Sequence, residues 1–302
     1  MFHNLMGWAG PDTAKREIVR LGYDHKPLQI FGGDNVTVTK VALYDFWHKA
    51  LNGGEPKLYA QLIGDCTANA TKNCINTLQC VQMCVNGTTE GYREVHPSYI
   101  YGIERVQIGG GQLGRQDGGV GLWCSQGTQK YGVLAMDEPG VPAYTASLAQ
   151  QWGATGPPQK WIDIATKNLV KQTTQINSWD ECCDAIIHMA AQVSVCSNIG
   201  FEMMPRADGY HYPGPTWSHN MSIIMCDKKS GYGLVQNNWG DVHGHLKDFD
   251  TGEPIPYGML RVHAETIDQM LKQGDSWAYN SFDDWESKAD ILQKSLFDLG
   301  GD

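Results

Sequence analysis

The pattern of small and apolar positions is most regular in the 20 or so residues that follow Cys66. These positions recur at mixed spacings of three and four and are Ala68, Ala70, Cys74, Ile75 and Leu78. The spacing predicts an α-helix buried on more than one side, with Asn86-Gly87 as its end. Cys66 lies in the predicted first turn, where unpaired backbone N–H groups and the positive end of the helix dipole favour a thiolate. The helix therefore presents a candidate nucleophile.

Short β-like segments dominate the second half of the chain. They cover residues 161–164, 170–176, 193–196, 220–226, 231–237 and 257–263, with a helix predicted at 179–189. Short strands joined by tight turns favour an antiparallel, barrel-like lobe. The first half is predicted to be mainly helical, so the pattern predicts an α+β protein with a mainly helical lobe and a β-rich lobe.

Composition narrows the class of protein. Hydrophobic residues make up 41% of the 302 residues, and no run approaches the ~20 apolar residues of a membrane span. The net charge of −10 argues against nucleic acid as a partner. Nine cysteines, with no secretory signal at the N-terminus, favour free thiols and a cytoplasmic setting over a disulfide framework.

Three separated motifs complete a chemical set. Gln61 precedes Cys66 in Gln-Leu-Ile-Gly-Asp-Cys, His219 opens the apolar run 220–225, and Asn237 is followed by Asn-Trp-Gly. These motifs resemble those of papain-like cysteine peptidases in kind and in order, and the 153 residues between Cys66 and His219 are near the separation usual in that family. The resemblance covers roughly residues 55–270.

The resemblance implies a role for each of these residues. Cys66 would be the nucleophile, and His219 would be the acid–base that stabilises the thiolate as an ion pair. Asn237 would orient the imidazole. Gln61, with the backbone N–H of Cys66, would bind the oxyanion. Trp239 would shield the His–Asn hydrogen bond from water and would contact the substrate in the cleft that the family has between its two lobes.

A glycine-rich stretch adds a substrate-binding candidate. Gly118 and Gly119, followed by Tyr131-Gly132-Val133, resemble the loop that lines the cleft in the same family. Glycines there would let an extended peptide backbone approach closely. A plain turn before a helix N-terminus explains the same residues equally well, so both interpretations stay open.

Several residues depart from the family pattern. Gln61 lies five residues before Cys66, one fewer than is common, and Asp65 places a negative charge beside the nucleophile unless it points to solvent. Thr67 replaces a usual Trp. Asn238 follows Asn237, so the two asparagines could exchange roles.

Metal chemistry is not expected. His243-Gly244-His245 is weak evidence for a metal site, and we interpret both histidines as solvated. The cysteines on the helix after Cys66 fit as small core residues, and no cofactor is implied. Peptides or proteins are the expected substrates.

The predicted organisation has four parts. Residues 1–54 are an extension that packs on the core, without an assigned role, and 55–152 form the helical lobe. Residues 153–273 form the β-rich lobe, and 274–302 form an acidic, aromatic tail that could dock on a partner. A papain-like thiol peptidase or amide hydrolase is the first hypothesis. The alternative is a structural or adhesion component of a phage particle or other assembly, which would place the protein in a virion.

Overall fold

A buried helix is the centre of the fold in the computed structural model, which describes residues 5–24, 28, 38–86 and 91–282. This helix is α3 (Cys66–Asn86), and every residue from 66 to 81 is buried. Small side chains at Ala68, Ala70 and Cys74 let neighbouring elements approach from several sides. The predicted helix is therefore confirmed.

Helices cover one side of α3, and one of them, at residues 44–50, also packs against the core of the sheet. In chain order they are α1 (Pro11–Arg20), α2 (Tyr44–Ala50), α4 (Pro97–Gly102), a π-helix (Ile103–Ile108), α5 (Gly121–Tyr131), α6 (Ala146–Thr155) and α7 (Gln159–Ala165). The β-like prediction for 161–164 was wrong, because this segment lies in α7. Trp161, Ile162 and Ala165 are spaced to share one helical face, and that face packs on Tyr99 and Trp152.

A seven-stranded antiparallel sheet covers the other side. Its strands are β1 (Lys40–Ala42), β2 (Val170–Gln175), β3 (Val193–Ser197), β4 (His219–Asp227), β5 (Tyr232–Gln236), β6 (Met259–His263) and β7 (Trp277–Phe282). The order is β2-β7-β3-β4-β5-β6, and β1 pairs with the far end of β4. Helices α8 (Trp179–Met189) and α9 (Ala264–Leu271) pack on the sheet. The α+β architecture and the predicted strands that correspond to β2 to β6 are confirmed.

The sheet is not a barrel. Among the strands of the described residues, β2 and β6 lie at opposite ends of the order and do not pair, so the barrel-like expectation is corrected to an open sheet. Helices α8 and α9 form one apolar core with β3, β4 and β5. Because helices cover this face of the sheet, the strands do not need to close into a barrel to bury it.

Two elements lie near one of the predicted chain divisions. Helix α7 follows the Gly/Pro stretch at 153–158 and packs with α4 and α6, and β2 then begins at Val170. Residues 277–282, placed by sequence in the C-terminal tail, form β7 between β2 and β3. The rest of that tail, residues 283–302, lies outside the described residues. No described helix combines the length and apolar character that crossing a bilayer would require.

Candidate active site

Cys66 is the first residue of α3, and the non-helical stretch that leads to this helix ends at Gly64-Asp65. Its side chain is fully buried, and burial raises the pKa of the thiol to about 12. Hydrogen bonds to the sulfur from the backbone N–H groups of Asn220 and Gly7 oppose that rise. The sulfur therefore lies directly beside the first residues of β4.

His219 opens β4 and meets Asn237 at the end of β5. The antiparallel β4–β5 ladder pairs Ser222 with Gln236. His219 precedes Ser222 and Asn237 follows Gln236, so both residues lie at the same end of the sheet. His219 Nε2 lies 2.8 Å from Asn237 Oδ1, and both side chains are buried. Burial also lowers the pKa of His219 to about 4.

The backbone fixes which way the Asn237 carboxamide faces. The N–H of Asn238 donates to Asn237 Oδ1 at 2.7 Å, and a backbone N–H can only donate. The atom facing His219 is therefore oxygen, so His219 carries its proton on Nε2. Its other nitrogen, Nδ1, is buried and has no hydrogen-bond partner among the described residues. That nitrogen is available to accept a proton.

Asn238 takes a different role from Asn237. Its Nδ2 donates to the carbonyl of Asn220 at 2.9 Å, and its Oδ1 accepts from Asn73 Nδ2 at 2.9 Å. Asn238 therefore ties α3 to β4, whereas Asn237 is the asparagine in contact with His219.

Two indoles enclose the imidazole. The ring centroids of His219 and Trp239 are 4.6 Å apart, and those of Trp239 and Trp217 are also 4.6 Å apart. Both tryptophans are buried. Together they keep water from the His219–Asn237 hydrogen bond.

The side chain of Gln61 bonds to two backbone carbonyls. The side chain is buried, and Nε2 donates to the carbonyls of Leu5 at 2.5 Å and Ile63 at 2.9 Å. The side-chain amide that the sequence predicts to be an oxyanion donor therefore already donates to the backbone carbonyl of Leu5.

That carbonyl belongs to residues 5–9, which we call the cleft segment. It lies between the helical side and the start of β4 and hydrogen-bonds through its backbone to both. Gly119 N donates to Gly7 O at 2.6 Å, Ala9 N donates to Gly119 O at 2.9 Å, and Trp8 N donates to Ser218 O at 3.0 Å. Trp8 forms a parallel β-bridge with Gly119, so the cleft segment is extended at this point, and it lies beside Cys66, whose sulfur accepts from the backbone N–H of Gly7.

Glycine is required where the cleft segment passes. A Cβ at Gly7 would lie 1.8 Å from the carbonyl oxygen of Gly64, and one at Gly118 would lie 2.9 Å from Gly7 O. A Cβ at Gly119 would lie 2.5 Å from Thr67 Oγ1 and 2.6 Å from Glu104 Oε2. The glycine-rich stretch is a turn directly before α5, and it also admits the close approach of the chain's own backbone at Gly7. Its role in binding a substrate stays a prediction.

A buried carboxylate anchors the cleft segment. Trp8 Nε1 donates to Asp275 Oδ2 at 2.9 Å. Asp275 also accepts from the backbone N–H groups of Gly121 and Leu122 at the start of α5 and from Trp277 Nε1. The same carboxylate therefore holds α5, β7 and the cleft segment together.

Asp65 does not point to solvent. It is fully buried, its Oδ2 accepts from the hydroxyl of Tyr144 at 2.8 Å, and burial raises its pKa to about 7. Below that pH the carboxyl is mainly neutral, which reduces its repulsion of a thiolate at Cys66. Burial of Asp65 therefore reduces the electrostatic repulsion expected between its carboxylate and a Cys66 thiolate.

Glu104 lies beneath Gly119. Its Oε1 accepts from Thr67 Oγ1 at 2.7 Å, its Oε2 accepts from Cys124 Sγ at 2.9 Å, and burial raises its pKa to about 8. Thr67, which stands where the family has Trp, thus has a polar partner below the cleft.

The two histidines of the 243–245 stretch differ from each other. His245 is exposed, as predicted, and pairs with Asp241 at 3.6 Å. His243 is fully buried, so the prediction that it is solvated was wrong. The loop that carries Met203 and His211 folds over it. Within the described ranges, no group of three or more His, Cys, Asp or Glu side chains is placed to hold a metal ion.

The structure brings three of the predicted site residues, His219, Asn237 and Trp239, into contact. Gln61 and Gly119 bond to different residues of the cleft segment, Leu5 and Gly7. The Cys66 sulfur accepts from the backbone N–H of Asn220, whereas His219 Nδ1 has no hydrogen-bond partner among the described residues. Sequence reasoning missed the cleft segment, Asp275 and His243, because their roles depend on contacts across the whole fold.

Comparison with known proteins identifies the fold. Xylellain, a cysteine protease from Xylella fastidiosa, superposes with a TM-score of 0.56 at 15% identity, over 92% of this chain and 97% of that one. Procathepsin B S9 from Trypanosoma congolense gives 0.59 at 11% identity, over 93% and 87%. Digestive procathepsin L 3 from the larval midgut of Tenebrio molitor gives 0.52 at 10% identity, over 93% and 77%.

These similarities define the chain as a protein with the papain-like fold. No family model matches the sequence, and no curated protein matches it significantly. At 10–15% identity the likeness establishes architecture, and activity has to be argued from the site itself.

Proposed function

We propose that this protein is a thiol peptidase or amide hydrolase that acts on extended polypeptides. The observation that carries the proposal is the cleft segment, because it is an extended peptide held by backbone hydrogen bonds to Gly119 and Ser218 beside a cysteine at a helix start. A groove that binds backbone rather than particular side chains suits a peptide substrate.

The site residues supply the groups that acyl transfer needs. Cys66 Sγ gives its proton to His219 Nδ1, and the thiolate attacks the substrate carbonyl carbon. Gln61 Nε2 and the backbone N–H of Cys66 stabilise the oxyanion. His219 then protonates the leaving amine, and water, deprotonated by His219, releases the acid and restores the thiol. Asn237 holds the imidazole in place through Nε2.

The described arrangement is closed. Burial raises the pKa of Cys66 to about 12 and lowers that of His219 to about 4, so both groups are neutral at pH 7. Displacing the cleft segment admits water and substrate, which lowers the cost of charging both groups. The reactive ion pair therefore forms after the cleft segment has moved.

Hydrolysis of a fluorogenic casein by the full chain tests the proposal. Cys66→Ala and His219→Ala should each abolish cleavage, whereas Cys84→Ala should not, because Cys84 is an exposed thiol away from the cleft. Cleavage that persists in Cys66→Ala, or no cleavage by the wild-type chain even after the cleft segment is loosened, would overturn the proposal.

The alternative of an assembly component stays a prediction. It drew on the acidic, aromatic tail, and residues 283–302 of that tail lie outside the described residues.

A further inference from the structure

We propose that His243 is a positioning residue that fixes the orientation of the Asn237 carboxamide and, through it, the proton on His219. This inference rests on the proposed function. His243 lies in the loop after Trp239 and is fully buried. Its Nε2 lies 2.7 Å from Asn237 Nδ2.

The direction of each hydrogen bond follows from one unambiguous donor. Because the Asn238 N–H donates to Asn237 Oδ1, the other atom of the carboxamide is Nδ2, which can only donate. His243 Nε2 must therefore be the unprotonated nitrogen that accepts this bond. The proton of neutral His243 is then on Nδ1, which faces the carbonyl of Met203 at 3.2 Å.

The resulting chain runs from His243 through Asn237 to His219. Reversing the carboxamide would place Nδ2 against the Asn238 N–H, donor against donor, and Oδ1 against the lone pair of His243 Nε2. It would also present a donor to His219 Nε2, which would move the imidazole proton to Nδ1. An imidazole protonated on Nδ1 cannot take a proton from Cys66. His243 thus favours the tautomer that the reaction requires.

A second chain of bonds holds His243 itself. The backbone N–H of Arg261 donates to His211 Nδ1 at 3.2 Å, which leaves the proton of neutral His211 on Nε2. That nitrogen donates to the carbonyl of His243 at 3.0 Å. The backbone and the ring of His243 are therefore both tied to the loop that covers them.

His243 stays neutral in this setting. Burial lowers its pKa to about 4, and the neighbouring His211 lowers it further, while Asp241 and the carbonyl of Met203 act in the opposite direction. His219 faces it from the other side of Asn237 and is itself neutral at pH 7. The Nε2 lone pair is therefore available to Asn237 across the neutral range.

The first experiment reads the tautomers directly. Long-range ¹H–¹⁵N correlation spectra of the full chain labelled with ¹⁵N-histidine, recorded at pH 7, distinguish a proton on Nδ1 from one on Nε2. The expected result is His243 protonated on Nδ1 and His219 protonated on Nε2. Finding His243 protonated on Nε2, or charged, would overturn the proposal without any variant.

Two substitutions then separate positioning from packing. His243→Phe keeps a planar ring but has no acceptor, whereas His243→Gln offers an amide oxygen near the position of Nε2. His243→Phe should lower kcat on the order of 10- to 100-fold with little change in KM, and His243→Gln should recover most of that loss. His245→Phe, in the same loop but exposed, is the matched control and should leave kcat unchanged.

The two readouts keep this inference separate from the proposed function. A chain that stays inactive even after the cleft segment is loosened would contradict the peptidase proposal, and the tautomer spectra would still decide the role of His243. If His243→Phe leaves both the His219 resonances and kcat unchanged, His243 has no positioning role. A variant that fails to fold leaves the decision to the wild-type spectrum.

Discussion

Gln61 donates its side-chain amide to the carbonyl of Leu5 at 2.5 Å, so the residue nominated to stabilise an oxyanion is bonded to the protein's own backbone. The contact joins two parts of the chain that are 56 residues apart. The side-chain amide of Gln61 therefore binds a peptide carbonyl of the chain itself. Under the proposed function, an external substrate has to displace the cleft segment before it can bind there.

Loosening the cleft segment should expose Cys66. Trp8→Phe removes the bond from Nε1 to Asp275 while keeping an aromatic ring in place. A hydrogen bond to a charged group is worth about 1.5–3 kcal/mol, so alkylation of Cys66 by iodoacetamide should accelerate roughly 10- to 150-fold. Peptide mapping by mass spectrometry gives the rate at each cysteine.

Trp277→Phe is the matched control for that change. Trp277 donates to the same carboxylate at 3.0 Å but lies on β7, outside the cleft segment. It should reduce stability without accelerating alkylation of Cys66. Equal acceleration in both variants would mean that Asp275, rather than the cleft segment, controls access.

Filling the space at Gly119 should weaken peptide binding. In Gly119→Ala the new Cβ meets Thr67 Oγ1 and Glu104 Oε2, so the backbone that pairs with the peptide must shift. Overpacking of this kind costs about 1–3 kcal/mol, and KM for peptide substrates should rise. Gly127→Ala is the control, because a Cβ there makes only ordinary contact with Ile103. An unchanged KM and melting temperature in Gly119→Ala would refute the prediction.

Removing the charge at Asp65 should make Cys66 easier to ionise. The carboxylate raises the pKa of the thiol, and Asp65→Asn keeps an oxygen for the Tyr144 hydroxyl. The inflection in the pH dependence of Cys66 alkylation should therefore move to lower pH. An inflection that stays in place or moves upward would show that Asp65 is neutral throughout or acts by another route.

Burial of Glu104 should make the fold less stable as pH rises. Its native pKa of about 8 exceeds the ordinary value of 4.5, so between these values the unfolded chain has released a proton that the native state retains. The free energy of unfolding therefore falls with pH, by at most about 1.4 kcal/mol per pH unit for one group. The contribution is complete below pH 4.5 and lost above pH 8.

Glu104→Gln isolates this effect when urea unfolding is compared at pH 6.5 and pH 8. The variant should lose less stability across that interval than the wild-type chain. The exposed Glu253→Gln should behave like wild type. A Glu104→Gln variant with the full wild-type slope would assign the pH dependence to other buried carboxyls, such as Asp65 and Asp275.

The hydrophobic pattern of the sequence predicts the main helix and most of the strands. The three- and four-residue spacing after Cys66 predicts α3, and short apolar segments predict β2 to β6, because burial on one or more faces leaves a direct periodic signature. The strand prediction for residues 161–164 was wrong, because a short apolar run fits a strand or a buried helix equally well. Packing on Tyr99 and Trp152 decided in favour of the helix.

The candidate site also contains residues that the sequence predicts and residues that it does not. Cys66, His219 and Asn237 stand out through their motifs, but the choice between Asn237 and Asn238 depends on the strand register and on one backbone N–H. The cleft segment pairs with Gly119, more than 100 residues away, and His243 is buried by a separate loop. Contacts of this range leave no local pattern, so only the folded chain reveals them.

Covalent labelling of the cysteines tests the central claim most directly. The full chain contains nine, of which Cys84 is the exposed one among the described residues. A peptide carrying a thiol-reactive epoxide should attach once per chain, at Cys66, and hydrolysis should fall in proportion to the labelled fraction. Attachment at Cys84 while hydrolysis continues and Cys66 stays unmodified would contradict the assignment of Cys66 as the nucleophile.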